Sequence, residues 1–222
     1  MSTERFKDAP WFDPKGEIEV IIGGAGGIGS WLALFLARQN VQISIFDMDT
    51  VEEVNLGGQF FNNNDIGQTK VQAISDWCES FTRNALDTNL EYTKDSPTHK
   101  YIFSCFDNMS ARKLMFEKWA EKATNDSIYI DGRLLAEEGS IYCVTKDKIE
   151  EYRKTLFDDS EVLLVSCSYK STTHCSALIA SFMTSCFNNY ITNVKAGMEL
   201  REVAFNINFQ LPVLNFEIKN EF

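Results

Sequence analysis

The apolar positions of this chain alternate between two spacings. Runs such as Val20-Ile21-Ile22 and Ile43-Ser44-Ile45-Phe46 have the density of buried strands, whereas the stretch between them repeats its apolar residues at helical intervals. The alternation predicts a strand at 17–23, a helix at 26–39, a strand at 41–47, a long loop to about 64 and a helix at 67–82. A polar strand near 88–93 and a strand at 100–106 follow, and Met115, Trp119 and Ala123 give the next helix one apolar face. Two more strands are expected at 128–134 and 140–145, then a polar helical segment at 147–157, an irregular stretch to about 172, and the buried helix CSALIASFMTSCFNNYI. The tail VAFNINF alternates apolar and polar residues, and Pro212 separates it from a last short strand, which fits an antiparallel hairpin at the sheet end.

Strands and helices in this rhythm describe an α/β protein, with a mostly parallel sheet, helices on both faces and a C-terminal antiparallel hairpin. With 222 residues, 44% of them hydrophobic, the chain has material for one full core. It reads as a single domain with an N-terminal arm at 1–16, a core at 17–193 and the hairpin at 194–222. Where the first strand ends, Gly24, Gly26, Gly27 and Gly29 open the following helix. Such a Rossmann-like turn aims unpaired helix amides at a phosphate, and Asp47, closing the second strand, is placed for a ribose hydroxyl. The glycine pattern alone fits a dinucleotide or ATP.

A net charge of −11 argues against a nucleic-acid partner, because that binding rests on clustered Lys and Arg. The segment MSTERFKDAPWF lacks the apolar core of a signal peptide, and no apolar run is long enough to span a bilayer, so a soluble, cytoplasmic protein with no membrane partner is expected. The six cysteines contain no CxxC pair, so no zinc site is expected. Cys78, Cys105, Cys143, Cys175 and Cys186 read as small core hydrophobes, while Cys167 stands in the polar segment SCSYKSTTH.

Taken in order, GGAGGIGSWLALFLAR, FDMDTVEEVNL, Gln59, DIGQTK and CFDNMSAR resemble the ThiF/MoeB/HesA family, whose domain ubiquitin-activating enzymes also contain. The resemblance covers roughly residues 17–193. It implies a homodimer that binds ATP with Mg²⁺ and adenylates the C-terminal carboxylate of a small ubiquitin-like protein or peptide. Gly27 and its neighbours, Asp47, Asn55 and Gln59 would then cradle the nucleotide, and Lys70 would sit beside the phosphates. Asp107 is the implied Mg²⁺ ligand, Asn108 lies near the adenosine, and Arg112 braces their loop. From the residues alone, Lys70 also reads as a solvated helix residue and Asp107 as a helix N-cap.

One departure stands out. The family usually reads NLxRQ, with an arginine on the triphosphate, and here Gly58 occupies that place. Arg133 is expected to restore part of the lost charge, with a surface ion pair as the alternative, and Arg5 is a second candidate. Cys167, ahead of a long helix, matches the position of a family cysteine that forms a thioester or acyl-disulfide, and it also reads as a structural thiol. Two other functions stay open: a non-catalytic relative that binds nucleotide or a ubiquitin-like protein, and an NAD-dependent oxidoreductase.

Overall fold

In the computed structural model, which describes residues 4–82, 84–158 and 172–220, the alternating pattern resolves into one sheet. Strand β1 (Glu19–Gly23) is buried on both faces because it lies between two parallel neighbours, β2 (Gln42–Phe46) and β4 (Tyr101–Ser104). Outside these lie β3 (Asp87–Asn89) against β2 and β5 (Ile128–Leu135) against β4, both also parallel. β6 (Glu138–Val144), β7 (Asn206–Gln210) and β8 (Asn215–Lys219) add to β5 as an antiparallel meander. The order β3-β2-β1-β4-β5-β6-β7-β8 reverses direction at β1, and the crevice beyond the carboxyl ends of β1 and β4 is where open α/β sheets bind ligands.

Helices α1 (Gly27–Ala37), α2 (Lys70–Glu79) and α5 (Thr173–Ala196) cover one face, where Ile22, Leu32, Ile74, Ile130 and Met183 meet. The opposite face carries α3 (Met109–Ala120) and α4 (Ile149–Arg153), with Ile21, Phe116, Trp119, Tyr129 and Tyr152 between them and the sheet. Each large side chain buried there contributes on the order of 1.5–3 kcal/mol. The strand pleat divides β5 between the two faces: Tyr129 faces α3, whereas Ile130 faces α5.

Two segments differ from the sequence expectation for identifiable reasons. The strand near 88–93 shrinks to Asp87–Asn89, because the carbonyls of Thr93, Lys94 and Ser96 accept from the Lys118 ammonium instead of a ladder partner. The segment 147–157 holds a 3₁₀ turn and the short α4, beyond which the Thr155 hydroxyl donates to the Tyr152 carbonyl and closes the turn. Cys78, Cys105, Cys143, Cys175 and Cys186 are all buried and unbridged, as small core residues. On the N-terminal segment Phe6 stacks on Trp11, and Lys195 of α5 donates to the Phe12 carbonyl at 2.8 Å. No helix among the described residues is long and apolar enough to cross a membrane.

Candidate functional site

The turn after β1 is built by glycine. Gly24 adopts φ +91°, a left-handed conformation that side chains disfavour, and a Cβ there would lie 2.7 Å from the Cys105 carbonyl oxygen. A Cβ on Gly29 would lie 1.9 Å from the Gly24 oxygen, so only glycine lets the first turn of α1 fold back onto the loop. Gly26 is the N-cap of α1 and Gly27 its first residue, leaving the first-turn amides at the mouth of the crevice. Asp47, at the end of β2, accepts from the Ala25 amide at 2.6 Å and from the Asp49 amide at 2.8 Å. Burial raises the Asp47 pKa above its ordinary 3.8 even though those amide donors and Lys70 favour the carboxylate.

A second loop closes over the glycine turn. Asn55 accepts from the Glu52 amide at 2.8 Å within the 3₁₀ turn Glu53–Gly57, and the Thr173 hydroxyl, at the start of α5, donates to the Gly57 carbonyl at 2.6 Å. The Gln59 side-chain amide comes within 4.0 Å of the place a Gly26 Cβ would take, and its carbonyl oxygen is buried without a hydrogen-bond partner. An orphaned buried acceptor beside a glycine turn is a group prepared for a donor that a ligand or water supplies.

Lys70 is the first residue of α2 and is buried, which removes the solvated-helix reading. Its ammonium lies 2.7 Å from Asp49 Oδ2. Across the switch point, the residue after β4 that caps α3 is Asn108, whose Oδ1 accepts from the Ala111 amide at 2.8 Å. Asp107 is therefore not the cap; it is exposed, and no hydrogen bond or ion pair among the described residues engages its carboxylate. The glycine turn, Asp47, Lys70, Asp107 and Asn108 thus stand just beyond the ends of β1, β2 and β4 and at the starts of α1, α2 and α3, with Asn55 and Gln59 on the loop between β2 and α2 and Gln59 beside Gly26.

Arg133 is placed differently. It shares the α3 face of β5 with Tyr129, its guanidinium lies 4.5 Å from the Tyr142 ring centre, and the neighbour that comes within 3.8 Å of a Gly27 Cβ position is Leu134. Arg133 Nε pairs with Asp131 at 2.7 Å, while Nη1 and Nη2 donate to the carbonyl and hydroxyl of Thr155 at 3.0 and 2.9 Å. All three nitrogens are committed within the protein, so the side chain is neither a surface ion pair nor directed at the glycine turn. Asp131, fully buried, was not singled out from sequence, although a carboxylate inside the apolar strand IYIDGRLL signals a paired charge. Asp49 and Thr173 were missed too, since nothing local marks the long-range bonds they make. Arg5 is exposed, and Cys167 lies outside the described residues.

Among the described residues no group of three or more His, Cys, Asp or Glu side chains could by itself hold a metal ion. Mg²⁺ does not require such a group, since it takes one or two protein carboxylates and completes its shell with water and substrate oxygens.

A family profile described as the ThiF family matches residues 16–218. Ubiquitin-like modifier-activating enzyme 5 of Arabidopsis thaliana is 32% identical over 136 residues, covering 50% of this chain and 32% of that protein. The enzyme of the same name from Dictyostelium discoideum is 31% identical over 102 residues, 46% of this chain and 24% of the relative. tRNA threonylcarbamoyladenosine dehydratase 2 of Saccharomyces cerevisiae is 31% identical over 110 residues, 44% of this chain and 25% of the relative. These matches span about a quarter to a third of the curated relatives. Among solved structures, PaaA superposes with a TM-score of 0.75 at 19% identity, covering 99% of this chain and 74% of that one. MccB of E. coli, solved with ATP, gives 0.67 at 16% identity, covering 92% and 63%. Both share this fold.

Proposed function

Because the chain belongs to the ThiF family, we propose that it transfers the adenylyl group of ATP to the C-terminal carboxylate of a small ubiquitin-like protein or peptide. The observation that supports this reading is the exposed, uncommitted Asp107 carboxylate just beyond β4, the strand beside the β1 that carries the glycine turn, with Lys70 buried at the start of α2. The α1 amides would hold phosphate oxygens, Asp47 the ribose, and Lys70 would offset phosphate charge from the rim. Asp107 would hold Mg²⁺, which neutralises the triphosphate when bound. An acceptor carboxylate oxygen attacks the α-phosphorus, the bond to the β-phosphate oxygen breaks, and pyrophosphate leaves with that electron pair. The attacking group is already an anion, so the site needs orientation and charge compensation more than a general base. A second step, in which Cys167 displaces AMP to form a thioester, extends the proposal, as do a cytoplasmic homodimer and the exposed Arg5 reaching a second copy.

Acceptor-dependent exchange of labelled pyrophosphate into ATP tests the reading, with candidate peptides and ubiquitin-like proteins as acceptors. Wild type is expected to catalyse it and Asp107→Ala to abolish it without lowering the melting temperature. Gly58, standing where the family carries a triphosphate-binding arginine, favours a non-catalytic relative as the second reading. Nucleotide binding without exchange for any acceptor would establish that alternative, and tight binding of NAD with none of ATP would sink both.

A further inference from the structure

The buried charges under β5 connect two segments that are far apart in sequence. Asp131 is fully buried, with Arg112 Nε 3.1 Å from one carboxylate oxygen and Arg133 Nε 2.7 Å from the other. Arg112 extends from α3 to donate through Nη2 to the carbonyl of Phe106, the residue immediately before Asp107. Arg133 extends the opposite way, to Thr155 behind α4, and its guanidinium lies over the Tyr142 ring. One carboxylate therefore hydrogen-bonds one arginine and attracts a second across 3.1 Å, and that second arginine holds the backbone that presents Asp107.

Two buried charges and a third that is mostly covered are a poor device for stability alone, since their desolvation offsets most of their attraction. They are a better device for geometry: the Arg133 guanidinium is bonded through all three nitrogens and has little freedom to rotate, while Arg112 is held by the charge of Asp131 and by Nη2 donating to the carbonyls of Phe106 and Gly132. With Arg133 removed, Asp131 would lose one of its two cations, and its remaining partner, Arg112, would be free to follow it.

We infer that Arg133 and Asp131 are positioning residues for Asp107, acting through Arg112 on the carboxylate that would receive the metal ion. Neither touches substrate. The inference rests on the reading above, in which Asp107 binds the nucleotide's metal. It assigns Arg133 a role in orienting the site in place of compensation for Gly58.

The test measures binding rather than turnover. Mn²⁺ affinity is read by electron paramagnetic resonance on the full chain with a non-hydrolysable ATP analogue, beside metal-free analogue binding by calorimetry. Arg133→Met is expected to weaken Mn²⁺ roughly 10-fold or more, the range for residues that orient a metal ligand, while metal-free analogue binding changes less than about 2-fold. Arg133→Lys, which keeps a cation beside Asp131 and loses the fork, should fall between wild type and Arg133→Met. Thr155→Val removes only the far anchor and should give a smaller loss in the same direction, which keeps the test available if Arg133→Met fails to fold. Unchanged Mn²⁺ affinity in folded Arg133→Lys and Thr155→Val, with Asp107→Asn strongly impaired, overturns this inference and leaves the proposed function standing. If Asp107→Asn also binds Mn²⁺ normally, both fall.

Discussion

Lys70 Nζ lies 2.7 Å from Asp49 Oδ2, although the lysine side chain is only 7% exposed and the aspartate is 61% exposed. The pair holds a buried ammonium close enough to Asp47 to favour that residue's carboxylate form. Because Asp49 remains in water, the attraction is screened, and such pairs contribute about 0–1 kcal/mol. Lys70→Met keeps the stem packing and leaves Asp49 solvated, so thermal unfolding should shift by only a few degrees. Single-turnover adenylation should fall on the order of 10²-fold if the ammonium offsets charge developing on the phosphates. An unchanged rate in a folded Lys70→Met protein removes Lys70 from the site.

Asp47 provides a pH signature. Burial raises its pKa above 3.8, so between 3.8 and the folded value the native state holds more protons at this group than the unfolded state does. The sign follows: this group's cost to stability is absent below 3.8 and grows as pH rises through the folded pKa. Urea unfolding of wild type and Asp47→Asn across the mildly acidic range cancels the other carboxylates. Wild type should gain stability relative to Asp47→Asn on acidification. The opposite slope would mean that the Ala25 and Asp49 amide bonds outweigh burial.

The sheet, its helices and the terminal hairpin were legible because they follow from periodicity, which is local. The glycine turn was legible because its spacing is a local pattern and Gly29 is required by the Gly24 carbonyl five residues before it, although the crowding at Gly24 itself comes from Cys105, just past β4. Arg133 was not, because its place depends on which face of β5 it shares and on Thr155, 22 residues away. A strand register settles that question, and a one-residue change reverses it. Asn108 was legible as part of a motif, but its role as cap of α3 in place of Asp107 depended on backbone geometry at a single residue.

The described thiols make a prediction about reactivity. Burial pushes Cys78 up to about 12 and Cys175 up to about 11, and raises Cys105 as well. The hydrogen bond between Cys143 and Cys186 raises the first and lowers the second, yet both side chains are buried. Alkylation of the native protein near pH 7.5 should therefore leave these five cysteines largely unmodified, with labelling appearing on denaturation. Peptide mapping by mass spectrometry after a short iodoacetamide pulse reads this directly. Rapid native labelling of Cys175 would show that the N-terminal turn of α5 opens.

Gly58 permits a gain-of-function test. Its backbone has φ −136° and ψ −18°, on the side of the map open to ordinary residues, so the conformation itself does not demand glycine there. The position is buried at the end of the 3₁₀ turn, and its amide donates to the Asn55 carbonyl at 3.3 Å, a bond that a side chain does not remove. The backbone thus admits Gly58→Arg, and because the position is buried the added side chain should cost on the order of 1–3 kcal/mol unless it reaches the open side of the loop, so folding of the variant is checked first by its melting temperature. If the triphosphate passes this loop, the restored guanidinium should tighten ATP by roughly 10-fold, which corresponds to about 1.4 kcal/mol for a charge-assisted hydrogen bond. AMP, which lacks the β- and γ-phosphates, should bind as it does to wild type. Calorimetry with both nucleotides therefore separates a phosphate contact from a general change in the pocket: equal changes for ATP and AMP, or none for either in a folded variant, would place the triphosphate away from residue 58.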